Sequence, residues 1–110
     1  MKESQLVKSL LFSLNLYGFF WRNNTGAHKV NSKEGNRFIR FGLTGSADII
    51  GLINGSFIAI EAKSEKGKQS EEQKSFQNKI ESNGGFYIIS RNEKETIDLI
   101  EKIKKGIIRK

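Results

Sequence analysis

Three charged residues stand at the ends of two apolar segments in the middle of the chain. Asp48 precedes the segment 49–53, and Glu61 and Lys63 close the segment 56–63. Carboxylate oxygens are suitable ligands for Mg²⁺ or Mn²⁺. Such an ion can polarise a phosphate and lower the pKa of an attacking water, while a nearby lysine stabilises the charge that develops. These residue types therefore suit a metal site with room for waters and a substrate phosphate, provided that the fold brings them together.

The dipeptide Asn54-Gly55 between the two segments predicts that they meet. It is the strongest short signal for a β-hairpin with a two-residue loop. In that hairpin Asp48 lies directly opposite Glu61, with Cβ atoms about 4.5–5.5 Å apart. Lys63 projects from the same face as Glu61.

Two carboxylates directly opposite each other destabilise a sheet. Either one of them is protonated, or a cation lies between them. The alternative is an ordinary surface ion pair of Lys63 with Asp48 or Glu61 at a strand end. The apolar strand bodies, which indicate burial on both faces, disfavour this alternative.

The rest of the pattern predicts the elements that hold this hairpin. Apolar residues at helical spacing predict helices over 3–17, 71–83 and 92–105. Ser70 with Gln73 forms a capping-box pattern at the start of the second helix. Further strands are predicted over 19–24, 37–41 and 86–90, with a turn-rich loop over 25–36. The order predicts an α/β fold in which helices flank a mixed central sheet, as a single domain over residues 1–110.

The charge of the chain favours a polyanionic partner, with nucleic acid as the first candidate. The net charge is +7, from 19 Lys and Arg against 12 Asp and Glu. Residues 22–40 carry five basic residues and one acid, which indicates a flexible basic loop. The aromatic run 19–21 is interpreted as core in preference to a surface that stacks on bases.

Other classes of protein are excluded by composition. The absence of cysteine excludes disulfides and thiolate metal sites, and the single histidine, His28, excludes a multi-histidine zinc site within one chain. No apolar run approaches the roughly 20 residues of a membrane span, and the N-terminus lacks the pattern of a cleaved signal. We therefore expect a soluble intracellular protein without a membrane partner.

Asp48, Glu61 and Lys63 resemble the D…(D/E)XK pattern of the PD-(D/E)XK nucleases. The chain as a whole is similar to one branch, the virus-type replication-repair nuclease (VRR-NUC) domain. The similar features are Glu3 in the first helix, WRNNTGA at 21–27, GSAD at 45–48, EAK at 61–63 and SEEQKSFQNKIESNGGFY at 70–87. Ala47 stands where the family often has proline. The resemblance implies a restriction-endonuclease-like αβββαβ core.

The resemblance also implies roles for individual residues. Mg²⁺ or Mn²⁺ is expected to bind Asp48, Glu61 and the carbonyl of Ala62, with Lys63 as the catalytic lysine. Glu3 and Gln73 are expected to be catalytic residues, with Glu3 in contact with the metal or its waters and Gln73 near the active site. Their alternatives are an acid favoured by the helix dipole for Glu3 and the capping box for Gln73. From charge and position along the chain, the predicted DNA contacts are Arg22, Asn23, Asn24, Lys29, Lys33, Arg37, Lys66 and Lys68. The alternative for Arg22 is a solvated strand end.

The implied function is that of a metal-dependent, structure-specific DNA endonuclease. For small stand-alone members the resemblance implies cleavage of four-way (Holliday) junctions in the cytoplasm of a bacterial or phage-infected cell. A homodimer suits the approximate two-fold symmetry of such a junction. Two alternatives stay open: a sequence-specific restriction enzyme, which the lack of an added reading domain disfavours, and a non-catalytic nucleic-acid-binding module on the same fold.

Overall fold

The structure is a computed structural model that describes residues 2–24, 26–32 and 35–110, with the backbone alone for 26–32 and 36–41. Its elements in chain order are α1 (Glu3–Leu14), β1 (Phe19–Arg22), β2 (Gly26–Ser32), β3 (Gly35–Phe41), β4 (Ile49–Ile53), β5 (Ser56–Ala62), α2 (Glu71–Ser82), β6 (Phe86–Ser90) and α3 (Glu93–Lys104).

Four strands form the central sheet, in the order β1-β4-β5-β6. β4 pairs antiparallel with β1 and β5, whereas β6 runs parallel to β5 after the crossover through α2. The predicted α/β fold with a mixed sheet between helices is therefore confirmed. Ile53 faces Ser56 across the turn. The positive φ angles of Asn54 (49°) and Gly55 (85°) are those that the predicted two-residue hairpin loop requires.

Helices cover the two faces of the sheet unequally. The first face carries alternate strand residues such as Ile49, Ile58 and Ile60, which pack with Leu10 of α1 and Ile100 of α3 in the main core. On the second face, Phe76 of α2 packs against Ala59 of β5 and Tyr87 of β6. The helix α2 thus lies over the β5–β6 half of the second face.

The first helix is shorter than predicted, because α1 ends at Leu14 and not at residue 17. The side chain of Asn15 explains this end. Its Oδ1 accepts a hydrogen bond from the backbone N–H of Phe20 (2.9 Å), and its Nδ2 donates to the carbonyls of Leu11 (2.8 Å) and Phe20 (3.1 Å). These bonds fix the chain as it turns from α1 into β1.

The predicted loop over 25–36 is wrong in most of its length. β2 and β3 pair antiparallel from Gly26↔Phe41 to Ser32↔Gly35 and form a separate two-stranded sheet. The strand predicted over 37–41 is confirmed as part of β3, which begins earlier. Backbone pairing between two seven-residue segments forms this hairpin without the alternating apolar pattern that announces a half-buried strand.

The helices of the described residues are short. None of them is long and apolar enough to cross a bilayer.

Candidate active site

Asp48 and Glu61 meet at the open end of the β4–β5 hairpin. The register ends at Ile49↔Ile60, so Asp48 lies opposite Glu61, and the charge of Asp48 acts on the Glu61 carboxyl group. Oδ2 of Asp48 accepts a hydrogen bond from the backbone N–H of Ala62 (2.8 Å). The carbonyl of Asp48 accepts one from the N–H of Asn23 (2.8 Å). Asp48 is thus fixed between β1 and β5 through both its side chain and its backbone.

Glu61 is the buried member of the pair, since only 5% of its surface is exposed. Its Oε2 accepts a hydrogen bond from Nε2 of Gln73 (3.1 Å). Nζ of Lys63 lies 3.7 Å from the same oxygen, and the Lys63 side chain is itself 12% exposed. The fold therefore brings Asp48, Glu61, Lys63 and Gln73 together.

The pKa of Glu61 is raised although Lys63 lies beside its carboxyl group. Burial and the charge of Asp48 raise the pKa of Glu61 from 4.5 to about 7, although the ammonium of Lys63 acts in the opposite direction. The hydrogen bond with Asp48 and the charge of Glu3 add to the increase. At neutral pH the site is therefore close to binding a proton, and a cation between the two carboxylates would remove the same repulsion.

The oxygen atoms at this place fit a hard divalent cation. In an antiparallel ladder the N–H and the C=O of one residue point toward the same neighbouring strand. Because the N–H of Ala62 points to Asp48, we expect its carbonyl on that side too. The described residues contain no group of three or more acid, His or Cys side chains placed to bind a metal. Two carboxylates and one carbonyl leave positions for waters and substrate oxygens, which Mg²⁺ usually retains.

Gln73 takes part in the capping box of α2 and also contacts the candidate active site. Its Oε1 accepts a hydrogen bond from the N–H of Ser70 (2.9 Å), while Oγ of Ser70 accepts one from the N–H of Gln73 (3.1 Å). The predicted capping box is thus confirmed. Because its Oε1 is held by the cap, the amide directs its Nε2 toward Glu61.

The loop after Lys63 is held from two sides. Oε2 of Glu3 accepts a hydrogen bond from the N–H of Ser64 (3.1 Å). Nη1 of Arg91 donates to the carbonyls of Ser64 (2.6 Å), Glu65 (3.2 Å) and Gly67 (2.9 Å). Glu3 therefore lies at the edge of the site with its carboxylate on a backbone amide, and its contact with the metal or its waters stays a prediction. Arg91 has no signal in the sequence, because it follows β6 and reaches this loop only through the fold.

The predicted DNA contacts lie in several places. Arg22 and Asn24 are exposed at the end of β1, and Lys66 and Lys68 are exposed in the loop that Arg91 holds. Nδ2 of Asn23 donates hydrogen bonds to Oγ of Ser46 (2.7 Å) and to the carbonyl of Ala47 (2.9 Å). Asn23 thus supports the segment before Asp48.

The remaining predicted contacts cannot be placed against the site. Lys29 lies in β2 and Arg37 in β3, where only the backbone is described, and Lys33 lies outside the described residues. Their contact with DNA stays a prediction.

The aromatic run of β1 departs from its predicted role. Phe20 is 4% exposed and belongs to the core, as expected. Phe19 and Trp21 are 65% and 43% exposed, so the prediction that they are core residues is wrong. Side chains alternate between the faces of a strand, and α2 packs over β5 and β6 instead of over these two rings.

The chain matches no protein-family model and no curated protein sequence. Its function is therefore inferred from the site and from the motifs of the sequence.

Proposed function

We propose that the protein is a metal-dependent DNA endonuclease with a PD-(D/E)XK-type active site, as its resemblance to VRR-NUC domains implies. One observation carries this proposal: the buried carboxyl group of Glu61 is placed beside that of Asp48, at a cost in electrostatic free energy that Lys63 does not remove. A structural role gives no reason for such a pair. A site for a divalent cation does, and a chain of net charge +7 suits a polyanionic substrate.

The ligands in this proposal are the carboxylates of Asp48 and Glu61 and the carbonyl of Ala62. A bound Mg²⁺ or Mn²⁺ supplies Lewis acidity and lowers the pKa of a coordinated water. The chain's own residues prepare the site. Gln73 donates a hydrogen bond to Glu61 and fixes the orientation of its carboxylate, while the backbone N–H of Ala62 does the same for Asp48.

Lys63 provides the positive charge for the reaction. It projects from the same face as Glu61, and the contact of 3.7 Å keeps its ammonium at the carboxylate pair. A phosphate under attack gains negative charge, and a fixed ammonium beside it stabilises that charge more than it stabilises the bound substrate. Lys63 therefore stabilises the transition state or positions the attacking water.

A non-catalytic DNA-binding module is the weaker alternative. Two acids next to the bound DNA would repel its phosphates, and the burial of the Glu61 carboxyl group would only reduce the stability of such a module. In the proposed nuclease, both acids serve as ligands of the metal ion.

The form of DNA that serves as substrate is proposed from the resemblance to VRR-NUC domains. We propose that the substrate is branched DNA, with four-way junctions as the leading form, in the cytoplasm of a bacterial or phage-infected cell. A symmetric homodimer would present one active site to each of two related strands of such a junction.

Cleavage of a matched set of DNAs tests the proposal. A four-way junction, a flapped duplex, a linear duplex and a single strand built from the same sequences are incubated with Mg²⁺, Mn²⁺ or chelator. We expect cleavage with either ion, none in chelator, and the highest rate on a branched form. DNA that binds equally well in chelator and is never cut with either ion would instead support the binding module.

A further inference from the structure

Two aromatic rings are exposed on the face of the sheet that also holds the carboxylate pair. Phe19 is 65% and Trp21 43% exposed, and their ring centroids lie 5.3 Å apart with an interplanar angle of 43°. We call these two residues the aromatic patch. Phe19 faces Leu52 and Trp21 faces Ile50 across the β1–β4 pairing. Since Ile50 and Leu52 are two and four positions from Asp48, all of them project from one face.

The patch lies close to the candidate metal site. Two residues along a strand span about 7 Å, so the backbone of Trp21 lies one such step and one strand away from Asp48. These two spacings combine to a backbone separation of about 8 Å, of the order of the distance between neighbouring phosphates in an extended single strand. A strand with its phosphate at Asp48 can therefore place an adjacent base over the rings.

We propose that the aromatic patch binds unpaired bases of DNA by stacking, next to the phosphate that is cut. This inference rests on the proposed nuclease function and concerns nucleotides that are unpaired or unstacked at the branch of the DNA, beside the cleavage position. A base presents its flat surface to a protein ring only where it is not stacked within a duplex. Exposed aromatic side chains in a positively charged protein are a common means of binding single strands.

A second copy of the chain is a less suitable occupant of the patch. Phenylalanine and tryptophan side chains have about 150–250 Å² of surface each, so the exposed fractions correspond to about 200–250 Å². A stable protein interface covers about 800 Å² on each partner. The patch is therefore too small to hold a dimer by itself, but it is the size of one or two bases.

The fluorescence of Trp21 measures stacking directly, because this is the only tryptophan of the chain. The protein is titrated in chelator, which prevents cleavage, with a duplex that carries a short single-stranded tail and with a fully paired duplex of equal total charge. We expect strong quenching by the tailed DNA and little by the paired DNA. Equal quenching by both would overturn the inference.

Two matched variants extend the test. Phe19→Leu removes an exposed ring of the patch, and Phe12→Leu removes a ring of α1 that is 76% exposed and lies outside the patch. We expect Phe19→Leu to weaken binding of tailed DNA by about 5- to 150-fold, which corresponds to the 1–3 kcal/mol per base that stacking contributes. Its affinity for paired DNA and its salt dependence should not change, because no phosphate contact is lost. Phe12→Leu should behave as wild type.

Other outcomes separate the inference from the proposed function. The stacking inference would be overturned if both variants lost affinity for tailed DNA equally, or if neither variant lost any. So would a change of molecular mass in solution for Phe19→Leu alone, since the patch would then be a protein interface. Because binding is measured in chelator, failure of the nuclease activity does not affect the result. Stacking without cleavage would refute only the nuclease.

Discussion

The substitution Glu61→Gln tests the electrostatic account of the carboxylate pair. In the folded protein without metal, the pKa of Glu61 is raised from 4.5 to about 7 by burial and by Asp48. The folded state therefore binds a proton that the unfolded state has released between these pH values. The binding of this proton stabilises the folded state fully below pH 4.5, and this stabilisation is lost as the pH rises through 7.

The size of the effect follows from the same values. One pKa unit corresponds to about 1.4 kcal/mol, so a change from 4.5 to about 7 corresponds to about 3 kcal/mol of unfolding free energy between pH 4.5 and pH 8. Glutamine has nearly the same shape, and its Oε1 can still accept the hydrogen bond from Gln73. The unfolding free energy of Glu61→Gln should therefore not decrease in this way between pH 4.5 and pH 8. At pH 8 the variant should be more stable than wild type.

The assay is urea unfolding in chelator at several pH values between 4.5 and 8. The matched control is Glu65→Gln, which removes an exposed carboxyl group in the neighbouring loop and should keep the pH dependence of wild type. The reasoning is refuted if Glu61→Gln loses stability with pH as steeply as wild type does. Addition of Mn²⁺ at pH 8 should stabilise wild type and the control, but not Glu61→Gln.

Further predictions concern the affinity for the metal, the role of Lys63 and the basic residues of the segment 29–37. Mn²⁺ affinity, measured by calorimetry, should rise by up to about tenfold per pH unit below pH 7 and level off above it, since the ion displaces the proton of Glu61; a flat profile would contradict this. Lys63→Ala should slow single-turnover cleavage by about 10²–10³ with Mn²⁺ affinity retained, and arginine should restore little because its planar group differs from a compact ammonium; cleavage at the wild-type rate would reduce the lysine to a polar strand end. Replacement of Lys29, Lys33 and Arg37 with alanine should weaken binding to all DNA sequences similarly and lower the salt slope by about 0.9 per lost phosphate contact, whereas an unchanged slope would mean that this segment does not touch DNA.

Local signals in the sequence predicted the parts of the fold on which the site depends. Asn54-Gly55 determines the register of β4 against β5, and that register alone places Asp48 opposite Glu61. The pattern of Ser70 and Gln73 predicted the start of α2 to the residue. In each case the residues that carry the signal are neighbours in the chain, so no knowledge of tertiary packing was needed.

What the sequence could not show depends on contacts between distant segments. The exposure of Phe19 and Trp21 follows from where α2 packs, and alternation along β1 does not reveal which face a helix covers. Arg91 donates hydrogen bonds to the loop after Lys63, and these two segments are brought together only by the parallel pairing of β5 and β6. The strands β2 and β3 pair through their backbones without an apolar pattern, so their composition indicated a loop.

The most direct test of the central claim is single-turnover cleavage of branched DNA by Asp48→Asn in Mg²⁺, with Asp98→Asn as the control. Asp98 is an exposed acid of α3, so the control removes the same charge away from the site. We predict that Asp48→Asn binds the DNA at least as well as wild type but does not cut it, because one of the two carboxylate ligands is lost, and that Asp98→Asn cuts normally. Cleavage by Asp48→Asn at the wild-type rate would show that the carboxylate pair is not the metal site of a nuclease.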